Sequence, residues 1–218
     1  MKVGTDAVLL GSWIDPKFSK YILDIGTGTG LIALMLAQKS TGEIDAVDID
    51  ESAYHQAKEN FNRSAWRDRI HVFHQSFQEF SERSTKKYDL VVSNPPYFHH
   101  ASKPCEEARM NARHNNQLSF DELICGVKKI LADDGRFCVI LPCKEGLEFM
   151  NLTQSKSLFC HEMIRVKTKA DKNEKRLMME FSFQFRQIND QEIIIQEEDS
   201  RFTHEYVEMT REYFIGLK

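Results

Sequence analysis

Apolar positions along the chain change their period several times, and each change marks an element. "YILDI" (Tyr21–Ile25) is a short apolar run that reads as a buried strand, and "LIALMLAQK" (Leu31–Lys39) reads as a buried helix. The pair then repeats, with "EIDAVDI" (43–49) as a second strand and "ESAYHQAKENF" (51–61) as a second helix. "RIHVFHQ" (69–75) and "YDLVVS" (Tyr88–Ser93) add a third and a fourth strand. Further on, Phe120, Leu123, Ile124, Val127, Ile130 and Leu131 recur at helical spacing, and Ser119 with Glu122 forms a capping-box pattern at their start. Asp134-Gly135 turns the chain into a fifth strand, "RFCVILP" (136–142). Such alternation predicts an α/β domain with a doubly wound, mostly parallel sheet.

The tail follows a different rule. In "RLMMEFSFQFR" (176–186), Leu177, Met179, Phe181, Phe183 and Phe185 share one face and Met178, Glu180, Ser182, Gln184 and Arg186 the other. This period of two predicts a strand with one solvated face, as in antiparallel pairing. With "CHEMIRVKT" (160–168) before it, the basic stretch between becomes a hairpin loop. A last amphipathic helix is expected from Thr203, packing Tyr206, Thr210, Tyr213, Phe214 and Leu217.

Composition narrows the class. The chain has 218 residues, 41% hydrophobic and 28% charged, enough for one sizeable core and outside the disordered range. No apolar run is long enough to cross a bilayer, and "MKVGTD" lacks the core of a secretory signal. The five cysteines form no C-x-x-C pair, which argues against a disulfide framework or a zinc site. His99 and His100 stand beside no thiolate pair and read as loop residues, so no metal is expected. A cytoplasmic protein is the expectation. Net charge is −4, but it is segregated, about +4 over residues 165–176 and −6 over 190–212.

Candidate chemistry begins at "LDIGTGTGL". Gly26, Gly28 and Gly30 lie between the first strand and the first helix, where α/β sheets open their ligand crevice. Their spacing is G-x-G-x-G, which disfavours the pyrophosphate of a dinucleotide and a dehydrogenase reading with it. "AVDID" places Asp48 at the end of the second strand, where a carboxylate can accept from both hydroxyls of a ribose; Asp50 suits a helix cap. These features suit a nucleoside whose other end is not phosphate. The fourth strand then runs into "NPPYFHH", an exit of two prolines and two aromatics that a plain turn does not require.

"LDIGTGTG", "AVDID" and "NPPYF", in this order and at these intervals, resemble the class I S-adenosylmethionine-dependent N-methyltransferases. "MKVGTDAVLLGSW" and "ARHNNQLSFDELI" resemble, more narrowly, the bacterial valine-tRNA adenine-N6 methyltransferases, which act on the adenine 3′ of the anticodon. The resemblance implies a seven-stranded sheet with an antiparallel final strand. It implies one methyltransferase domain over 1–218, with a cofactor half of about 1–93 and a substrate half of about 94–218. Gly26, Gly28, Gly30 and Asp24 would hold the methionine side of S-adenosylmethionine, and Asp48 its ribose. Where family members often place an Asp for the adenine amine, this chain has Ser76, so backbone groups near Phe77 are expected to serve. A further segment before "KVGTD" is usual in the family, and part of the cofactor cover or RNA surface is expected there.

Asn94 through Tyr97 (with Pro95 and Pro96) would hold the target amine. An exocyclic amine carries two N–H donors and a lone pair delocalised into its ring. The Asn94 side-chain carbonyl and the Pro95 backbone carbonyl can accept both N–H groups, and Tyr97 and Phe98 can stack a flipped base. Orientation and electrostatics then suffice for in-line transfer, with no metal. The same four residues serve enzymes acting on DNA adenine, RNA guanine or protein glutamine. Here no long DNA-reading insertion and no distinct helical N-terminal domain is visible. A basic hairpin with Lys167, Lys169 and Lys172 can track a phosphate backbone, and Arg109, Arg113 and His114 follow the loop. The resemblance implies a tRNA partner, through its anticodon stem-loop. A non-catalytic S-adenosylmethionine-binding module is the alternative from another class, and the intact Asn-Pro-Pro-Tyr argues against it.

Overall fold

The structure is a computed structural model that describes residues 4–95 and 118–213. In chain order its elements are α1 (Thr5–Trp13), β1 (Tyr21–Ile25), α2 (Leu31–Lys39), β2 (Glu43–Asp48), α3 (Glu51–Arg63), β3 (Ile70–His74), α4 (Phe77–Arg83) and β4 (Tyr88–Ser93). After the gap come α5 (Phe120–Ile130), β5 (Leu131–Pro142), α6 (Cys143–Ser155), β6 (Phe159–Lys167), β7 (Glu174–Ser182), β8 (Asn189–Ile194) and α7 (His204–Thr210).

Local chemistry sets several of the boundaries. Asp50 caps α3 by accepting the Ala53 N–H at 2.8 Å. The capping box at α5 is formed as the sequence implies: Glu122 accepts the Ser119 N–H at 2.9 Å, and Ser119 Oγ accepts the Glu122 N–H. Thr203 caps α7 and donates its hydroxyl to the Ile194 carbonyl at 2.5 Å, which ties that helix to the end of β8. Tyr206 and Thr210 of α7 are buried as expected, while Phe214 and Leu217 lie outside the described residues.

The strands form one sheet in the order β3-β2-β1-β4-β5-β7-β6-β8. All neighbours are parallel except β7, which is antiparallel to both β5 and β6. Successive residues of the buried strands serve opposite faces, as the pleat requires. Ile22, Leu90, Ile140 and Met178 join one core with α1, α2, α3 and α7. Leu23, Val91, Val139 and Met179 join the other with α4, α5 and α6. The doubly wound, mostly parallel α/β architecture is therefore present.

Two details differ from expectation. The sheet has eight strands, and the antiparallel one is the next to last; the final strand, β8, runs parallel to β6 along the outer edge. The second face of β7 is not solvated. Met178, Glu180 and Ser182 are buried because β7 lies inside the sheet with packing on both sides. The buried Glu180 carboxylate is compensated by Arg136 Nη1 at 2.9 Å and the Cys138 thiol at 3.3 Å, with His161 Nε2 at 3.7 Å.

Candidate active site

The sheet reverses its winding between β1 and β4, and that switch point is where open α/β sheets leave a crevice at their carboxyl ends. The glycine loop fills the β1 side of it. Gly26, Gly28 and Gly30 all take left-handed backbone conformations, with φ of 68°, 58° and 80°. An L side chain there is strained, and at Gly30 a Cβ would stand 2.3 Å from the Phe61 ring. The Gly26 and Thr27 N–H groups donate to the Val47 carbonyl at 2.9 and 3.2 Å, which fastens the loop to the end of β2.

Asp48 organises the same region. Its Oδ2 accepts the Gly28 N–H at 2.8 Å and its Oδ1 the Asp50 N–H at 2.9 Å. Its carbonyl accepts the Gln75 N–H at 3.1 Å, so one residue joins the exits of β1, β2 and β3. Beside it Ile49, 44% exposed, and Phe73, 38% exposed, leave apolar surface open where the sheet ends. Sequence reasoning missed this pair: Ile49 is a single apolar residue in a turn, and Phe73 of β3 reads as one more strand position.

Asp24 lies fully buried under the loop. Its Oδ2 accepts the Thr27 hydroxyl at 2.6 Å and the Ala33 N–H at 3.3 Å, while its Oδ1 is buried with no hydrogen-bond partner. Desolvation raises its pKa to about 7; the bonds from Thr27 and Ala33 oppose the rise and Asp48 adds to it. An orphaned carboxylate oxygen under a loop of three left-handed glycines suits a ligand that brings a cation.

On the β4 side, Ser93 is paired in register with Ile25, and its hydroxyl donates to the Ile25 carbonyl at 3.0 Å. Asn94, half-buried, and Pro95, buried, therefore leave β4 one strand spacing, about 4.8 Å, from Gly26. Ser93 was not singled out in the sequence. Ser76 caps α4 by accepting the Glu79 N–H at 3.2 Å, and the Phe77 ring is buried against Gly126, so Phe77 offers the crevice only its backbone. Pro96, Tyr97, Phe98, Arg109, Arg113 and His114 lie outside the described residues.

The basic stretch is only partly a loop, because Arg165 and Lys167 belong to β6. The acidic tail comes back along it. Asp190 takes Arg165 in a two-point pair, with Nε at 2.9 Å and Nη2 at 2.9 Å, and Glu192 takes Lys167 at 2.6 Å. Lys169 donates to the Glu198 carbonyl and Ser200 Oγ, Lys172 pairs with Asp171, and Arg176 pairs with Asp6 of α1 at 2.8 Å. The described residues hold no group of three or more His, Cys, Asp or Glu arranged for a metal, and no helix among them is long and apolar enough to cross a membrane.

The methyltransferase small domain family matches residues 2–157. A tRNA1(Val) (adenine(37)-N6)-methyltransferase of Bacteroides fragilis is 41% identical over 218 residues, covering 100% of this chain and 92% of that protein. Its counterpart from Proteus mirabilis is 37% identical over 221 residues, covering 99% and 88%. Among solved structures, a predicted O-methyltransferase from Agrobacterium tumefaciens superposes with a TM-score of 0.74 at 17% identity, covering 95% and 96% of the two chains. The ribosomal protein L11 methylase of Lactobacillus delbrueckii subsp. bulgaricus gives a TM-score of 0.54 at 18% identity, covering 81% and 76%. At such identities the solved structures show a shared fold. The family match and the full-length relatives go further: the chain belongs to the methyltransferase small domain family, alongside the tRNA1(Val) (adenine(37)-N6)-methyltransferases.

Proposed function

We propose that this protein transfers a methyl group from S-adenosylmethionine to the N6 amine of an adenine in tRNA, the adenine immediately 3′ of the anticodon of a valine tRNA. The names of relatives 37–41% identical along the whole chain support the substrate. One geometric observation carries the reaction class. The in-register Ser93–Ile25 link sets the Asn94-Pro95 exit beside the glycine loop, which supports reading the two as an amine acceptor site and a nucleoside site of one crevice.

Asp24 Oδ1 and the loop Gly26, Gly28 and Gly30 would hold the methionine end of the cofactor, Asp48 its ribose, and Ile49 with the backbone near Ser76 and Phe77 its adenine. When bound, S-adenosylmethionine supplies the methyl group on a sulfonium. Asn94 accepts one N–H of the target amine through its side-chain carbonyl and Pro95 the other through its main-chain carbonyl, which orients the nitrogen lone pair. Tyr97 and Phe98 stack the base, and Arg109, Arg113 and His114 receive the surrounding RNA.

The test is mass spectrometry of nucleosides from tRNA lacking the modification, before and after incubation with protein and cofactor. N6-methyladenosine in valine tRNA is the expected product. Methylated guanine, or methyl transfer only to protein glutamine, would overturn the reading.

A further inference from the structure

A groove of about 490 Å3 lies between the amino end of α1, the β6–β7 hairpin and the segment that follows β8. It adjoins a cavity of about 840 Å3, and Gln196 and Phe202 line both. Because β6 and β8 run parallel to β4, their carboxyl ends carry this groove on the same side of the sheet as Asn94. The path from β4 through β5 and β7 to β6 is three strand spacings, roughly 14 Å.

Three features of the groove point to a nucleotide. Phe202 is 44% exposed, yet its ring rests on the buried Tyr206 ring with centroids 5.1 Å apart, which makes a supported apolar shelf. Gln196 is fixed by its backbone bridge to Phe202 and by its N–H to the Thr168 carbonyl at 2.9 Å. Its side-chain amide meets no partner among the described residues. The fold also sorts the basic stretch. Of its six bases, Arg165, Lys167, Lys169, Lys172 and Arg176 are engaged, whereas Lys175 is exposed at the groove with no ion-pair partner among the described residues.

We propose that this groove holds one nucleotide near the target adenine on the same RNA strand, with its base stacked on Phe202 and read by Gln196, and its phosphate on Lys175. Stacking, an amide that can donate and accept, and an exposed lysine are elements by which proteins hold an unpaired nucleotide. The separation from Asn94 assigns it to a neighbour in the loop and not to the methylated base. The inference rests on the tRNA reading above.

Abasic scanning of an anticodon stem-loop RNA, combined with variants, tests it. Phe202→Ala should weaken RNA affinity about tenfold to hundredfold, the size of one lost base stack. Phe202→Tyr should stay near wild type, and S-adenosylmethionine affinity should be unchanged in both. An abasic nucleotide at one position flanking the target should erase the difference between wild type and Phe202→Ala. Lys175→Gln should reduce the slope of log affinity against log salt by about 0.7. If Phe202→Ala fails to bind cofactor, Gln196→Ala and the Lys175 salt slope carry the same test. Additive effects at every abasic position, with wild-type RNA methylation intact, overturn the groove alone. A wild-type protein that methylates no tRNA adenine overturns the functional reading and the groove together.

Discussion

The Ser93 hydroxyl donates to the Ile25 carbonyl at 3.0 Å, joining the last residue of β4 to the last residue of β1. Both residues are buried, so the bond sets how the Asn-Pro exit stands against the glycine loop. Ser93→Ala should cost about 1 kcal/mol of stability, the usual net worth of one buried hydrogen bond. Turnover should fall more than cofactor affinity, because the shift is felt between two loops and not within one. Denaturation curves and steady-state kinetics of the variant check this, and an equal loss in both would show the bond to be structural only.

The three glycines should not respond alike. Gly30→Ala adds a Cβ at 2.3 Å from the Phe61 ring at a φ of 80°. Left-handed strain of about 1–2 kcal/mol and overpacking of about 1–3 kcal/mol should together lower the melting temperature sharply. At Gly26 the added Cβ meets no atom within 4 Å among the described residues, so only the backbone strain remains. Gly26→Ala should fold and yet bind S-adenosylmethionine poorly, as calorimetry on both variants would show.

Asp48 uses both carboxylate oxygens on backbone N–H groups, one from Gly28 and one from Asp50. Asn offers a single acceptor and would turn an NH2 toward one of those donors. Asp48→Asn and Asp48→Ala are therefore both expected to lower affinity for S-adenosylmethionine roughly tenfold to hundredfold, the scale of a charge-assisted hydrogen bond. Calorimetry on a folded Asn variant with wild-type affinity would remove Asp48 from the cofactor site.

Asp24 predicts a pH dependence. Burial raises its carboxyl to about 7 from 3.8, so between these values the folded protein keeps a proton that the unfolded chain has lost. The stabilisation is complete below about pH 4 and is lost as pH rises through about 7, up to roughly 4 kcal/mol for the full shift. Asp24→Asn, which mimics the neutral acid, should make the cofactor-free protein more stable than wild type at pH 8, with the gap closing toward pH 4. Cofactor affinity should move the other way, rising with pH in wild type and staying flat in the variant. Melting temperatures and calorimetry across pH 5–8 separate these behaviours.

How much of this was legible depended on what each residue touches. The strands β1, β2, β4 and β5 are apolar runs because helices cover both their faces, and the sequence shows them directly. β8 was hidden because it is an edge strand, exposed from Asn189 through Glu192, with Ile193 its buried residue. The period of two in β7 revealed the strand but could not reveal that Glu180 is buried on a face that Arg136 neutralises. In the site, left-handed positions demand glycine and a strand end suits Asp48, so both left a mark on residue type. The pairing of Arg165 with Asp190 left none. It depends on the β6–β8 register, which sets Arg165 opposite Glu192 and brings charges 25 residues apart together.

Asn94→Ala is the sharpest probe of the reaction. The substitution removes one acceptor for the target amine and leaves the Ser93–Ile25 link, the buried Pro95 and the glycine loop untouched. S-adenosylmethionine affinity should hardly change, because Asn94 is assigned to the substrate amine. Turnover on tRNA should drop about a hundredfold to a thousandfold, the loss of roughly 2.7–4 kcal/mol of transition-state stabilisation typical of one oriented polar group. Tyr97→Phe should be milder than Tyr97→Ala, since a stacking face survives in the first. A binding module would have no turnover to lose, and a turn needed only for folding would lose cofactor affinity and cooperativity together. Full activity in Asn94→Ala would falsify the assignment of Asn94 to the amine and leave the Pro95 carbonyl as its acceptor.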